Sequence, residues 1–199
     1  MSVALTLPGI TLGPGDHVCG FYYGEEERDA MLRPFLRGAI DSGDKCVAVV
    51  DSVRPADVMN GLGLDLDDCV ASGQLELYDS SETYLRTGAF DPEEMIAFWE
   101  SRARAARDEG RFSFAWVLGE MSWLDRVDPG RERVVRYETW ANTFATQFPQ
   151  AVLCLYDVRR LGSGVLLDLL RTHPRILLGG LVLENPHYLS DDEFSTAHA

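Results

Sequence analysis

His17 and Cys19 stand two positions apart in the apolar run His17-Val18-Cys19-Gly20-Phe21-Tyr22-Tyr23. A strand alternates its side chains with a period of two, so the imidazole and the thiol share one face. A tetrahedral metal site needs four ligands, or three and an open position. The other donors, Cys154, His173 and His187, have no spacing that forces them to this pair. Cys is among the most buried residue types, so the favoured expectation is packed structural side chains with no metal and no other cofactor. The alternative is a metal- or redox-responsive site using His17, Cys19 and Cys154, or His173. His173 precedes Pro174 and is expected beside a helix end, where a partly charged imidazole is favourable.

A second set of residues lies where the apolar runs end. In order these are Tyr22 and Tyr23, Asp51, Tyr78 and Asp79, Glu120 with Met121 and Trp123, Tyr156 and Asp157, and Glu184 with Asn185. Ligands of open α/β sheets bind outside the carboxyl ends of the strands. This rim of aromatics and acids therefore suits an apolar pocket with a few orienting polar groups, although acids and tyrosines also serve as ordinary caps and strand ends.

The residues at the end of the first run exclude phosphate chemistry. A nucleotide-binding relative would carry a Gly-rich loop with Lys and Ser/Thr, because backbone N–H groups and the ammonium cradle the phosphates. Here Gly24-Glu25-Glu26-Glu27 occupies that corner, and its charge repels phosphate. Nucleophilic hydrolysis lacks its turn as well. No G-x-S-x-G is present, and Gly162-Ser163-Gly164 reads as a loop and helix start. The chain is expected not to be an enzyme.

The elements that position these residues alternate. Strands are predicted at His17 to Tyr23, Lys45 to Val50, Gln74 to Tyr78, Phe112 to Leu118, Ala151 to Tyr156 and Ile176 to Leu183, the last weakened by Gly179-Gly180. Helices are predicted from Glu25 to Ser42, with Pro34 marking a kink or a late start, and from Arg54 to Gly61. Another is opened by the cap Asp91-Pro92-Glu93-Glu94 and ended by Gly110. A further helix carries Val134, Tyr137, Ala141, Phe144, Ala145 and Phe148 on one face, and the last runs from Gly164 to Thr172. Six alternations predict an α/β, three-layer, mostly parallel sheet with helices on both faces. Residues 1–14 read as an N-terminal lead, 15–189 as one domain and 190–199 as an acidic tail.

With 46% hydrophobic residues the chain can build a large core, and its formal charge of -14 argues against direct nucleic acid or anionic lipid partners. No secretory signal is evident and no apolar run reaches the length of a membrane span. Cytoplasmic location with free thiols at Cys19, Cys46, Cys69 and Cys154 is expected.

The string Gly15-Asp16-His17-Val18-Cys19-Gly20-Phe21-Tyr22 resembles the opening of the MEDS domain, the sensory domain of methanogen and methylotroph regulators. Glu82-Thr83-Tyr84-Leu85, Gly119-Glu120-Met121-Ser122-Trp123, Tyr137-Glu138, Cys154-x-Tyr156-Asp157, Leu170-Arg171-Thr172-His173-Pro174 and Glu184-Asn185-Pro186-x-Tyr188 match it in the same order. The resemblance implies a RecA/KaiC-like fold without a phosphate loop and the sensing of a small organic, hydrocarbon-derived ligand. Family members are often fused to output modules. Since the sequence ends soon after the domain, output is expected through a separate regulatory protein, such as a kinase, an anti-sigma-type factor or a transcription regulator. A homodimer and a catalytically dead ATPase-like scaffold are the further options. The matched positions offered as ligand contacts are His17, Cys19, Tyr22, Tyr84, Glu120, Trp123, Cys154, Tyr156, Asp157, His173 and Asn185, with Tyr23 added from the rim. The loop from Ser80 to Phe90 is the expected lid.

Overall fold

The computed structural model describes residues 5–7, 10–62, 66–190 and 193. Four strands are buried along their whole length: β3 (His17–Tyr22), β4 (Lys45–Val50), β6 (Ala115–Glu120) and β7 (Gln150–Asp157). Continuous apolar runs of this kind require cover on both faces, which a parallel sheet receives from its crossover helices. With β5 (Leu75–Asp79), β8 (Arg175–Leu178) and β9 (Leu181–Glu184) they form a seven-stranded sheet in the order β5-β4-β6-β7-β3-β8-β9, parallel except for β9. A two-stranded antiparallel hairpin, β1 (Leu5–Leu7) and β2 (Ile10–Leu12), occupies part of the segment read as a lead.

The period-two alternation divides the core. Val18 and Tyr22 of β3 face α1 (Glu25–Asp41) and pack in one cluster with Leu32, Phe35 and Leu36. Cys19 and Phe21 face the other way, into a cluster with residues of α4 (Pro92–Glu109), α5 (Arg131–Gln147) and α6 (Ser163–Thr172). Helices α2 (Pro55–Leu62) and α3 (Asp67–Ala71) lie between β4 and β5 in sequence. Asp91 caps α4 through the N–H groups of Glu93 and Glu94, with Pro92 at the first position and left-handed Gly110 at its end.

Two details depart from the sequence expectations, and the course of α1 resolves an alternative they left open. The last predicted strand is a hairpin, because Gly179 and Gly180 both have positive φ (56° and 80°) and turn the chain between β8 and β9. Helix α1 starts at Glu25 and continues through Pro34. The loss of one helical hydrogen bond and the ring clash cost about 3 kcal/mol. Burying Leu32, Phe35 and Leu36 against the sheet offsets this at about 1.5–3 kcal/mol each. Strand β6 starts at Ala115 and extends to Glu120, which places the carboxylate inside the sheet edge rather than in the following loop. The acidic tail lies almost wholly outside the described residues.

Gly119 shows how closely the 80–90 loop approaches the sheet. A Cβ at this position would stand 2.4 Å from the Tyr84 hydroxyl, at the end of a rigid ring. Gly119→Ala should therefore lower unfolding stability by about 1–3 kcal/mol through overpacking. The expected signature in urea is a lower midpoint with an unchanged slope.

Candidate functional site

The carboxyl ends of the strands carry a closed polar network. Glu120 accepts from the Tyr22 hydroxyl at 3.1 Å, the N–H of Asp51 at 2.8 Å, the N–H of Ser52 at 3.2 Å and the Ser122 hydroxyl at 3.2 Å. The Ser52 hydroxyl donates to it as well. These donors come from the ends of three strands, so the carboxylate pins β3, β4 and β6 together. Burial, followed by the charges of Glu120 and Asp157, raises the Tyr22 phenol well above its ordinary range and keeps it a donor. Asp51, in turn, is gripped by Arg126, receives the Ser80 hydroxyl, and lies 2.8 Å from the Ser122 hydroxyl, whose single proton it shares with Glu120.

At the turn from β3 into α1 one acid accepts a backbone hydrogen bond. The N–H of Tyr23 donates to Glu27 Oε2 at 2.7 Å, in the place where a helix N-terminus would meet an anion. Tyr23 itself is exposed, with the Arg159 guanidinium over its ring at 5.4 Å. Arg159 also holds Asp157 through two side-chain nitrogens, and Arg160 approaches the same carboxylate at 3.3 Å.

Beside this rim lies an aromatic cluster. Tyr84 stacks on Trp123 with ring centroids 5.1 Å apart, and Phe90 approaches the same indole at 4.7 Å. The Tyr84 hydroxyl meets that of Tyr137 at 3.0 Å, and Trp99 Nε1 donates to the latter at 2.9 Å. Trp123 Nε1, by contrast, is buried with no hydrogen-bond partner among the described residues. A cleft of about 400 Å³ between the 80–90 loop and α4 reaches Tyr84 from the outside.

The remaining candidates meet deeper, on the α5/α6 face of the sheet. Parallel pairing sets Cys19 beside Cys154 and Phe21 beside Tyr156. His17 Nε2 is 3.4 Å from Cys154 Sγ, and the rings of His17 and His173 lie 4.2 Å apart. Glu138 of α5 reaches into this group: its Oε2 is 3.3 Å from His17 Nε2 and 3.1 Å from His173 Nε2, while its Oε1 accepts from the Tyr156 hydroxyl. All these side chains are buried. Asn185 acts through the backbone, donating to the carbonyls of Leu170 and His173 and so fixing the turn that presents His173. His187 is not part of the group and lines a separate surface cleft.

Burial alone would raise the Glu138 carboxyl, but the imidazoles of His173 and His17 outweigh it and hold the carboxylate below its ordinary range. Burial, reinforced by His17, lowers His173 and favours its neutral form. The Cys154 thiol is pushed up by burial and then by the Glu138 charge. These tendencies are compatible when one positive charge sits among the carboxylate and the two imidazoles.

Glu138 was not among the sequence candidates, and neither was Asn142, whose Oδ1 lies 2.9 Å from His17 Nδ1. A signal for both existed. Glu138 falls four residues after Val134 and three before Ala141, inside the apolar stripe of α5, and Asn142 lies one turn further along. A charge on a buried face needs a partner.

The model of the methanogen/methylotroph, DcmR sensory domain (MEDS) matches residues 16–174. The chain belongs to the MEDS family. MEDS is thus a sensory domain that here adopts a mostly parallel α/β sheet. The transcriptional repressor DcmR of Methylorubrum extorquens is 25% identical over 179 residues, which cover 83% of this chain and 60% of the repressor. The chain thus spans less than two thirds of that relative. Among solved structures, the flagellar accessory protein FlaH of Methanocaldococcus jannaschii superposes with a TM-score of 0.60 at 12% identity, covering 92% of this MEDS chain and 84% of FlaH. A KaiC-like protein of Pyrococcus horikoshii OT3 gives 0.57 at 13% identity, with 82% and 70% covered. At these identities the likeness concerns the fold, which is RecA/KaiC-like. No helix among the described residues is long and apolar enough to cross a membrane.

Asp157 provides a pH test of the rim. The side-chain hydrogen bond from Arg159 is the main cause that lowers its carboxyl. Its stabilising contribution is complete above the ordinary Asp value of about 3.9 and is lost as pH falls through the lower folded value. Asp157→Asn should cost about 1 kcal/mol at neutral pH. In paired thermal melts the wild type's advantage should shrink below about pH 4.

Proposed function

We propose that this MEDS chain is a non-enzymatic regulatory sensor whose input is a small, mostly apolar organic molecule bearing one hydrogen-bond acceptor. Output passes to a separate regulatory protein or module. The observation that carries this reading is Trp123: a buried indole N–H without a partner among the described residues, stacked on Tyr84 and flanked by Phe90 just beyond the end of β6. An aromatic enclosure with one free donor favours ligands such as alcohols, aldehydes, ketones or short esters, because leaving the donor unsatisfied costs about 1–3 kcal/mol.

Tyr84 and Phe90 both belong to the 80–91 segment, and the outer cleft leads to Tyr84. A ligand that displaces Tyr84 from Trp123 would shift this segment, and the free energy available for signalling is its differential affinity for the two loop positions. The repressor DcmR supports a regulatory role, as does membership of a sensory family. The satisfied Glu120 and the Glu27 carboxylate at the phosphate corner support the absence of nucleotide hydrolysis.

A panel of small oxygenated and purely hydrocarbon molecules, followed by intrinsic tryptophan fluorescence and thermal shift, tests this reading. Molecules with an acceptor should bind, and Trp123→Phe should weaken them by about tenfold, equivalent to one hydrogen bond of roughly 1.4 kcal/mol. Binding unchanged by Trp123→Phe, or no binding across the panel, would refute it.

A further inference from the structure

Tautomers at the buried centre follow from the surrounding hydrogen bonds. Asn142 Nδ2 donates to the carbonyl of Thr172 at 2.8 Å, which leaves Asn142 Oδ1 to accept from His17 Nδ1–H. His173 Nδ1 lies 2.8 Å from the carbonyl of Leu169 and must donate to it. Each neutral imidazole therefore carries its proton on Nδ1 and turns the Nε2 lone pair inward. Both lone pairs converge on Glu138 Oε2, itself an acceptor. Neither Glu138 Oε2 nor His173 Nε2 has a hydrogen-bond partner among the described residues, although both are buried. Converging acceptors in a dry interior need a cation between them.

We propose that His17, Glu138, Cys154 and His173 bind one divalent transition-metal ion, zinc by the character of the ligands, in a closed tetrahedral site.

Their four donor atoms all lie within 4.8 Å of one another. The closer separations, 3.1, 3.3 and 3.4 Å, approximate the edges of a tetrahedron built on bonds of about 2.0–2.3 Å. Charge also balances: a carboxylate and a thiolate neutralise a divalent ion, so the occupied centre is buried without net charge. Imidazole and thiolate together suit zinc, and metal binding supplies the deprotonation that burial opposes at Cys154. The outer contacts are those of a metal centre. Asn142 and the Leu169 carbonyl hold the two Nδ1–H groups, and Tyr156 donates to the second oxygen of Glu138. Four protein ligands and no open position make this a structural site, joining β3, β7, α5 and the end of α6. It is independent of the organic-ligand reading.

The test uses the whole chain, produced without a histidine tag. Elemental analysis should find about one zinc or other first-row ion per chain. After removal of the metal by chelator, thermal stability should fall and recover with zinc. Reconstitution with cobalt(II) should give tetrahedral d–d absorption and a thiolate charge-transfer band, the latter absent in Cys154→Ser and retained in Cys19→Ser. Asn142→Ala should weaken metal affinity about 10–100-fold. A wild-type chain that holds no metal, ignores chelator and gives no cobalt spectrum would overturn the site and leave a protonated imidazole paired with Glu138. The cobalt spectrum of the wild type decides the matter even if a variant fails to fold, and Trp123→Phe should leave metal content unchanged.

Discussion

Glu138 projects a carboxylate from α5 into a region where no water can solvate it. An isolated buried charge would cost several kcal/mol, so its neighbours must supply the compensation. They do so from several directions. His17 comes from the central strand β3, Cys154 and Tyr156 from its neighbour β7, and His173 from the turn that ends α6. Two central strands and two covering helices are thus tied at one point, and the hydrogen bonds of Asn142, Leu169 and Asn185 serve to hold those partners in place. Much of the α5/α6 layer is arranged around satisfying this group.

The other centre of polar chemistry is at the strand ends, where Glu120 performs a comparable task nearer the surface. It draws β3, β4 and β6 together by accepting from backbone and hydroxyl donors. The contrast between the two carboxylates lies in their surroundings. Glu120 has hydrogen-bond donors on both oxygens, whereas one oxygen of Glu138 faces the Nε2 atoms of His17 and His173 with no hydrogen-bond partner among the described residues. The aromatic cluster of Tyr84, Phe90, Trp99, Trp123 and Tyr137 packs against β6 closely enough that Gly119 has no room for a methyl group.

The relation to RecA/KaiC-like folds is one of architecture. The strand-to-helix turn remains, with Gly24 at positive φ, but three glutamates succeed it and Glu27 folds back to take the Tyr23 N–H.

Strand and helix alternation, the cap at Asp91 and the shared face of His17 and Cys19 were all legible in the residues. They depend on local periodicity and on the rule that parallel strands with both faces covered are apolar throughout. The Gly179-Gly180 pair was legible as a weakness but not as a hairpin, since a turn and a bulge share that signature until φ is known. Which donors meet was not legible. His17, Glu138, Cys154 and His173 are separated by long stretches of chain, and only the strand order and the packing of α5 and α6 on one face bring them within reach. Sequence decides which side chains share a face, because that depends on period; tertiary structure alone decides which faces meet, because that depends on how whole elements pack.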